Sequence, residues 1–568
     1  MKKTSLPVIP AWKRITQKAF SGIDISGSSQ EGKICETYNI SSDEFPLLAS
    51  RRQGYSLSRR AEESDYLFEN FFSDGERLWM TKTEKSSGDT FLLAEVKGED
   101  EPRIVCELSG SRKITAARLG NVLAVFPDKI AVDLRFDETT HTYPLECSPM
   151  EITLPFSSIS FTEVEEGSRI RVTYSELCPF SVGDVLTVSG CTTETKNNKS
   201  AVIRQVENGF GRFDLLFDPH TFVEETESES LFLALSRHIP SLTIAFACGN
   251  RLWGTDGESV FGSSPGNPFS WKTAETKNCE AFREAFTICP ITAGIAYLSC
   301  PTFFSENGIF RVLGDRADNF RITENVHGIG VEEKYADTLC IAGNILYFLN
   351  PEGVFSYSGS FPKLISGTLP SFFRENDPGG KAGKKDGKVF FPLKPGKNPN
   401  AIEVLVFDTE KNAYLTERIG LPDGSLPVED GRIDCVSAAD SLFFCPTLLS
   451  RGDFIFSGIY RRSESETEEE VESMVLFDNL FEKTPDRKRL LSIQLRLYTE
   501  GSVSVFLGDG DRWEEEKVFE CGENKNDFGI LIPIRPNRFD RLRLKLVSHG
   551  YFRLYSITRN LLAGSAKK

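Results

Sequence analysis

The sequence lacks the hydrophobic segments that export and membrane insertion require. Its opening residues, MKKTSLPVIPAWKRI, have a basic start but no apolar core like that of a signal peptide. No window of about 18 uninterrupted apolar residues occurs anywhere in the chain. We therefore expect a protein that is not exported by the general secretory route and has no transmembrane segment.

Closely spaced cysteines are also missing, although the chain contains 13 cysteines. A metal-binding knuckle needs two ligands about two to four residues apart, and no CxxC pair exists. The series Cys279, Cys289 and Cys300 is far more widely spaced. A disulfide framework is typical of small secreted domains, so the sequence predicts buried, reduced thiols and no metal.

Catalytic signatures are equally scarce. Residues 262–266 (GSSPG) have the letters of a nucleophile elbow, but Pro265 and Pro268 disfavour the helix that must follow the serine. The acidic turn at Asp509, Asp511 and Glu514 lacks the spacing of a calcium loop and favours a hairpin turn. The histidines are too scattered for a metal site or triad: His141, His220, His238, His327 and His549.

These absences lead us to expect no enzyme and no cofactor. A glycosidase with paired carboxylates is a minor alternative, because the chain has 82 acidic residues and their separations in space are not visible in the sequence. Positive charge is in deficit, and the net charge is −16. Since nucleic-acid binders usually carry a basic face, we expect no specific nucleic-acid binding.

The chain is instead rich in aromatic residues, with 44 Phe against 4 Met, which favours strands over helices. Its 568 residues are too many for one ordinary core. An all-β protein with several structural units is the expected fold class.

A small or polar turn pair followed by an apolar strand recurs about every 45 residues. The copies begin at Asp74, Gly120, Gly249, Ala293, Gly343, Asp386 and Ala439. In the clearest copy, residues 340–362, two strand-forming runs flank a Pro-Glu-Gly turn, and the first run hardly alternates in polarity. This indicates a strand that is covered on both faces. The period and the burial predict a β-propeller of about six to eight blades over residues 61–149 and 241–460.

The other regions interrupt or flank this repeat. One long interval predicts an inserted small β-barrel of about five strands at residues 150–240. The Glu-rich run suggests an acidic linker at 461–487, and clean alternation predicts a C-terminal β-sandwich at 488–568. Residues 1–60 are interpreted as an N-terminal arm.

This arm contains the candidate contact residues. Phe45 is expected to bury beside a bend fixed by Pro46, and Arg51 and Arg52 suit bidentate contacts with carboxylates. Pinning of the arm to its own chain is the first interpretation, and contact with another subunit is the alternative. Together with Asn39, these four residues form our set of subunit-contact candidates.

Four segments, residues 34–52, 250–271, 353–366 and 532–565, together resemble a propeller-type virion protein encoded in the tail-gene clusters of prophages of Gram-positive gut bacteria. More distantly, the chain is similar to podophage tail nozzle and packaged-DNA stabilisation hub proteins. The resemblance implies a homo-oligomeric ring in the virion tail, assembled in the host cytoplasm with adaptor, portal or tail proteins. Such a ring forms or closes the channel through which DNA leaves, so DNA passes without being bound specifically.

A host-surface receptor or glycan-binding tail module is the competing interpretation. The insertion or the C-terminal unit would make that contact. Trp253, Trp271 and Trp513 are suited to stacking on sugars, although tryptophans beside strand turns more often belong to the core of a blade.

Overall fold

The structure of the chain is a computed structural model. It describes residues 12–26, 33–50, 54–61, 66–96, 99, 101–110, 113–228, 233–271, 280–286, 288–370, 372–394, 401–420, 430–450, 453–463, 472–480, 488–509, 516–526, 529–534, 538–539 and 542–563. Two compact units result: the first comprises Met1–Phe68, Asp337–Ser358 and Pro362–Lys568, and the second comprises Glu69–Ala336 and Gly359–Phe361.

Within the described ranges, seven four-stranded antiparallel sheets have the strand order of propeller blades. The strands of blades 1 and 2 are Tyr66–Ser73, Leu78–Glu84, Thr90–Ala94 and Arg103–Leu108, then Thr115–Leu119, Val122–Phe126, Ile130–Asp133 and Cys147–Pro149. Those of blades 3 and 4 are Ile244–Cys248, Arg251–Thr255, Ser259–Gly262 and Phe282–Ala285, then Ala293–Tyr297, Cys300–Ser305, Gly308–Leu313 and Arg321–His327.

Blades 5 to 7 belong to the first unit. Blades 5 and 6 comprise Cys340–Ala342, Ile345–Asn350, Gly353–Tyr357 and Lys363–Leu364, then Gly383–Lys385, Lys388–Pro392, Ala401–Asp408 and Ala413–Gly420. Blade 7 comprises Asp430–Ala438, Ser441–Ser450, Asp453–Ser463 and, as its fourth strand, Gly54–Ala61 from far upstream. The helices of the described chain are Phe372–Glu375 and the 3-10 turns Thr195–Asn197 and Glu333–Thr338, all too short to cross a membrane.

The repeated turn pair joins the first two strands of a blade. Gly249 and Asn250 both have a φ of 58°, as a tight two-residue hairpin requires. In blade 4 the same turn is Leu298-Ser299, with φ of 48° and 58°, and not the copy predicted at Ala293. That prediction was one strand too early, because this turn contains no glycine to mark it.

Within the second unit, neighbouring blades bury apolar side chains against each other. One cluster joins Trp79 of blade 1 to Val125 of blade 2, and another joins Trp253 of blade 3 to Phe303 of blade 4. In residues 340–362, the strand Ile345–Asn350 is buried at five successive positions after its first residue. The predicted two-sided burial is confirmed, and so are the all-β class and the propeller type of fold.

The insert, defined here as residues 152–237, has its own core, built around Phe161, Phe213 and Leu235. Its nine strands form a four-stranded and a five-stranded sheet, and not a barrel of about five strands. These strands are Ile152–Pro155, Ser158–Val164, Gly167–Thr173, Val185–Ser189, Ser200–Val202, Gln205–Gly209, Arg212–Phe217, Glu225–Ser228 and Ala234–Arg237.

The sandwich at the C-terminal end draws strands from both ends of the chain. One sheet contains Trp12–Gln17, Ile40–Ser41, Leu48–Ser50, Lys488–Thr499, Gly529–Pro533, Arg538–Phe539 and Phe552–Ala563. The other contains Ile34–Tyr38, Glu472–Leu480, Ser502–Asp509, Glu516–Cys521 and Leu542–His549. Their common core includes Ile34, Leu48, Ile493 and Leu544.

Two of the predicted boundaries therefore need correction. Residues 1–60 are not a separate arm, because their described strands complete the sandwich and blade 7. The linker predicted at 461–487 contains the strand Glu472–Leu480, which pairs with Leu542–His549. Residues 461–463 of this predicted linker end the blade 7 strand Asp453–Ser463, and residues 464–471 and 481–487 lie outside the described chain. Charge alone misled us, since the acidic run ends where the buried side chains Val475 and Phe477 begin.

Candidate functional site

The junction, as we call the contacts that residues 37–44 make inside the first unit, centres on Asn39. This residue is buried and has a φ of 58°, a left-handed conformation that asparagine tolerates. Its side-chain amide donates to the Glu472 carbonyl at 2.8 Å and accepts from the Arg418 amide at 2.9 Å. Asn39 thus joins a strand of blade 6 to a strand of the sandwich.

Charged and hydroxyl groups surround Asn39. Lys388 of blade 6 donates to Asp43 at 2.6 Å, and Ser42 donates to the buried Asp408 carboxylate. The Arg418 guanidinium lies 4.0 Å from the centre of the Tyr38 ring, a cation–π contact. Polar contacts of this kind fix orientation as well as distance.

The ionisation of the junction follows from these contacts. Burial acts to raise the pKa of the Asp43 carboxyl, but its hydrogen bonds from Lys388 and Ser41 lower the pKa below its usual value. Burial raises the pKa of Tyr38, and the neighbouring Glu472 carboxylate raises it further. Asp43 is therefore charged and Tyr38 is neutral at neutral pH.

The N-terminal segment, by which we mean residues 12–50, also contacts blade 6 near Gly22 and Ile23. The Ile23 amide donates to the Tyr414 carbonyl at 2.8 Å. A Cβ atom on Gly22 would lie 2.5 Å from that same carbonyl oxygen, so only glycine fits there. The segment is held along blade 6 by backbone contact as well as by side chains.

The other contact candidates have different environments. Phe45 packs partly buried against the sandwich core, and Pro46 is exposed while its carbonyl accepts from the Phe20 amide at 2.9 Å. Arg51 and Arg52 lie outside the described residues. The structure thus places Asn39 and Phe45 in contacts within their own chain. That the five candidate residues contact another subunit stays a prediction.

A buried ion pair between blades 6 and 7 was not predicted from the sequence. Arg462 donates to both carboxylate oxygens of Glu417, at 3.0 and 3.1 Å, and both side chains are buried. Tyr55, on the strand Gly54–Ala61, also donates to Glu417. Burial acts to lower the pKa of Arg462, but the Glu417 charge outweighs it and the pKa is raised. The sequence did contain a signal for this pair. Arg462 and Glu417 each interrupt a largely apolar strand, Asp453–Ser463 and Ala413–Gly420 respectively.

The insert contacts blades 2 and 3 through a second buried ion pair, whose two members lie within the insert. Arg237 donates to Asp184 at 2.6 Å and to the Met150 carbonyl at 2.8 Å, and both side chains are buried. Asn267, on the loop after the third strand of blade 3, donates to the other Asp184 oxygen at 3.2 Å. The predicted GxSxG segment is part of this loop: Ser264 Oγ lies 2.9 Å from Ser270 Oγ, and the chain continues as a turn, not as a helix.

Two large apolar side chains stand out at one end of the insert. Phe210, on a hairpin turn, is fully exposed, and Leu177 is 77% exposed. The two loops are held together, because the Cys178 amide donates to the Asn208 side chain at 2.9 Å and the Tyr174 amide donates to the Gly211 carbonyl at 3.1 Å. We call this the insert tip.

The tryptophans considered for sugar stacking are core residues where they are described. Trp253 and Trp271 are both buried, and each indole N–H donates to a nearby carbonyl, of Cys248 and Pro268 respectively. Trp513 lies outside the described residues. Among the residues that the structure describes, no group of three or more His, Cys, Asp or Glu side chains is placed to hold a metal ion.

Comparison with known proteins shows only distant similarity. No family model matches the chain, and a search of curated proteins gives no match. The WD40 domain of SCAP from fission yeast matches with a TM-score of 0.33 at 9% identity, covering 73% of this chain and 99% of that one. A Trypanosoma rangeli sialidase mutant displaying trans-sialidase activity matches with a TM-score of 0.24 at 8% identity, covering 98% and 96%.

An exo-β-1,3-galactanase from Phanerochaete chrysosporium also matches, with a TM-score of 0.19 at 8% identity, over 96% of this chain and all of that one. Scores this low carry no functional argument. The sheets themselves define the class: an all-β protein of propeller type with an inserted two-sheet body and a terminal β-sandwich.

Proposed function

We propose that the chain is a structural component of a bacteriophage tail, a nozzle, hub or tip ring that assembles with other virion proteins and forms or closes the DNA exit channel. The proposal starts from the resemblance of four sequence segments to tail proteins. The structural observation that supports it is the junction at Asn39. A part that transmits force between partners needs rigid connections between its bodies.

The junction has the properties of a rigid connection. Blade 6 and the sandwich are joined through the hydrogen bonds of the buried Asn39 side chain and through the Lys388–Asp43 ion pair. The N-terminal segment adds strands to both sandwich sheets, so the sandwich is not attached by a single strand. The net charge of −16 supports the channel part of the proposal, because an acidic wall repels passing DNA.

Purified particles from an induced host that carries the gene provide the test. We expect mass spectrometry to detect the chain in the particles, immunogold labelling to place it on the tail, and deletion of the gene to give particles that do not deliver DNA. Absence of the chain from particles that infect normally would refute the proposal. Tight binding of DNA at physiological salt would refute the acidic channel wall.

Receptor binding by the insert is a second candidate function, favoured by the insert tip. An exposed Phe210 beside Leu177 on a firmly attached body is suited to contact a host-surface ligand. The variant Phe210→Ser/Leu177→Ser should then lose adsorption to host cells while its melting temperature stays unchanged. Phe361→Ser, which alters another exposed phenylalanine, is the matched control. Equal adsorption by all three proteins would exclude this function for the tip.

This test needs the whole chain. The segment 488–568 alone lacks five strands of its sandwich: Trp12–Gln17, Ile34–Tyr38, Ile40–Ser41, Leu48–Ser50 and Glu472–Leu480. An isolated C-terminal fragment would therefore expose its core, and its binding to glycans would be uninformative.

A further inference from the structure

The outer strands of blades 1 and 2 bring two cysteines together. Cys106 lies on Arg103–Leu108 and Cys147 begins Cys147–Pro149, and both thiols are free. The Cys147 thiol donates to the carbonyl oxygen of Val105, the residue before Cys106, at 3.6 Å, and the two thiols are close enough for each to shift the pKa of the other. Two cysteines 41 positions apart in sequence are thus in contact across a blade boundary.

The surrounding contacts hold these strands in place. Arg103 of blade 1 donates to the Tyr143 carbonyl in the segment that leads to Cys147. On the other side, the Ser109 amide donates to the Asp128 side chain of blade 2 at 3.0 Å. The two sulfur atoms are therefore positioned by contacts on both sides of the pair.

The two thiols also differ in a chemically useful way. Cys147 is exposed, and the hydrogen bond from the Cys106 thiol lowers its pKa, which favours the nucleophilic thiolate. The same hydrogen bond, with burial, raises the pKa of Cys106. Elsewhere burial raises the pKa of Cys178 and Cys248 to about 11, so those thiols are poor nucleophiles.

We propose that Cys106 and Cys147 are a redox-active pair that low-molecular-weight disulfides oxidise to a disulfide bond between blades 1 and 2. This inference does not rest on the function proposed above. In the first step the Cys147 thiolate attacks one sulfur of the reagent RSSR, which forms Cys147–S–SR and releases RS⁻. In the second step the Cys106 thiolate, formed by loss of its proton to water, attacks the Cys147 sulfur and releases the second RS⁻.

The net reaction is balanced. The protein loses two protons and two electrons, and RSSR takes up both to become two RSH. The product links blades 1 and 2 covalently. A bond between residues 41 positions apart restricts the unfolded chain, so it stabilises the two blades against separation.

The test treats the full reduced chain with oxidised glutathione under native conditions and maps its peptides without reduction. We expect a Cys106–Cys147 linkage and the mass loss of two hydrogen atoms. In Cys106→Ser the reaction should stop at a mixed disulfide on residue 147, and in Cys147→Ser residue 106 should stay unmodified. Cys178→Ser, which removes a thiol with a raised pKa, is the matched control and should behave as the wild type.

Thermal unfolding supplies a second readout. The oxidised wild type should melt at a higher temperature than the reduced wild type, and this shift should be absent in Cys106→Ser. A native protein in which Cys147 forms only a mixed disulfide, or in which other cysteines react first, would overturn the proposal. So would a linked protein whose melting temperature does not rise.

Discussion

The insert and the N-terminal segment are both additions to the repeat, yet they are built in opposite ways. The insert is continuous in sequence, has its own core, and begins and ends on paired strands, with Ile152 opposite Arg237. In its described residues, 12–26 and 33–50, the N-terminal segment has no core of its own. Its short strands join sheets whose other members lie hundreds of residues away.

This difference separates two ways in which an added segment is held. An attached segment keeps its own core and bonds to the rest of the chain, whereas an integrated segment forms part of the core of another domain. The insert is attached through hydrogen bonds that its own Arg237–Asp184 pair makes to the Met150 carbonyl and the Asn267 side chain. The N-terminal segment is integrated, because Ile34 and Leu48 are part of the sandwich core. Removing the first should leave the rest complete, whereas removing the second should leave a core open to water.

The largest effect is expected from deletion of residues 1–50. The deletion removes four strands from the two sandwich sheets and exposes apolar side chains such as Leu554 and Val475. We expect insoluble protein or a sandwich that is digested rapidly in limited proteolysis.

The counterpart is excision of residues 152–237 with a short Gly-Ser linker, which the adjacent strand ends permit. Because both buried charges leave together, the remainder should stay soluble and melt within ~5 °C of the full chain. If the two deletions behave alike, the distinction between attachment and integration is wrong.

The next effect concerns the ion pair between blades 6 and 7. Glu417→Ala leaves the Arg462 guanidinium buried without its carboxylate, which should cost about 3–5 kcal/mol of unfolding free energy. Glu403→Ala, which removes the part-exposed partner of Arg418 in the same blade, should cost less than about 1 kcal/mol. Urea unfolding followed by circular dichroism measures both, and equal losses would show that burial of the pair is unimportant.

A smaller effect is expected at Asn39. Asn39→Ala removes two buried hydrogen bonds and places alanine at a positive φ, which together should cost about 2–3 kcal/mol. Asn412→Ala is the matched control, because Asn412 has a φ of 50° but is exposed. The difference between the urea midpoints of Asn39→Ala and Asn412→Ala measures the contribution of the buried Asn39 amide to stability. Equal midpoints would mean that the junction contributes nothing to stability.

The smallest effect is a pH dependence inside the insert. The hydrogen bonds from Arg171, at 2.9 and 2.7 Å, lower the pKa of Asp214. Because the folded-state pKa is lowered, this stabilisation is present above about pH 4 and is lost as the pH falls through the folded value. It should amount to about 1 kcal/mol at most, because Arg171 is part-exposed.

Hydrogen exchange of the strand Arg212–Phe217 should therefore be faster in Asp214→Asn than in the wild type at pH 6, and the two should converge as the pH falls through the lowered folded-state pKa of Asp214. Asp218→Asn, which removes an exposed ion pair with Arg204, should change exchange much less. A constant difference between Asp214→Asn and the wild type at every pH would contradict the electrostatic explanation.

Local patterns made much of the fold predictable. Turn pairs such as Gly249-Asn250 identify blade hairpins because positive φ selects glycine and asparagine. The Leu298-Ser299 turn was missed because it has positive φ at both positions without containing a glycine or an asparagine. The strands Ile40–Ser41 and Leu48–Ser50 are too short for any periodicity.

The site was less predictable than the fold. Asn39 was selected as a contact residue, but its partners Arg418 and Glu472 lie about 380 and 430 positions away in the sequence. No local sequence pattern indicates which residues this far apart will pair. The same holds for Tyr55 and Glu417. Pairing across the whole chain depends on tertiary structure, which a single sequence does not display.

The pairing of Trp12–Gln17 with Phe552–Ala563 also affects folding during synthesis of the chain. The Thr16 and Thr558 hydroxyls, in contact at 3.0 Å, are 542 positions apart. At roughly 5–20 residues per second, a ribosome needs on the order of a minute to deliver the second strand after the first. During that interval the earliest strands have no sheet to join, and we expect them to need shielding by chaperones.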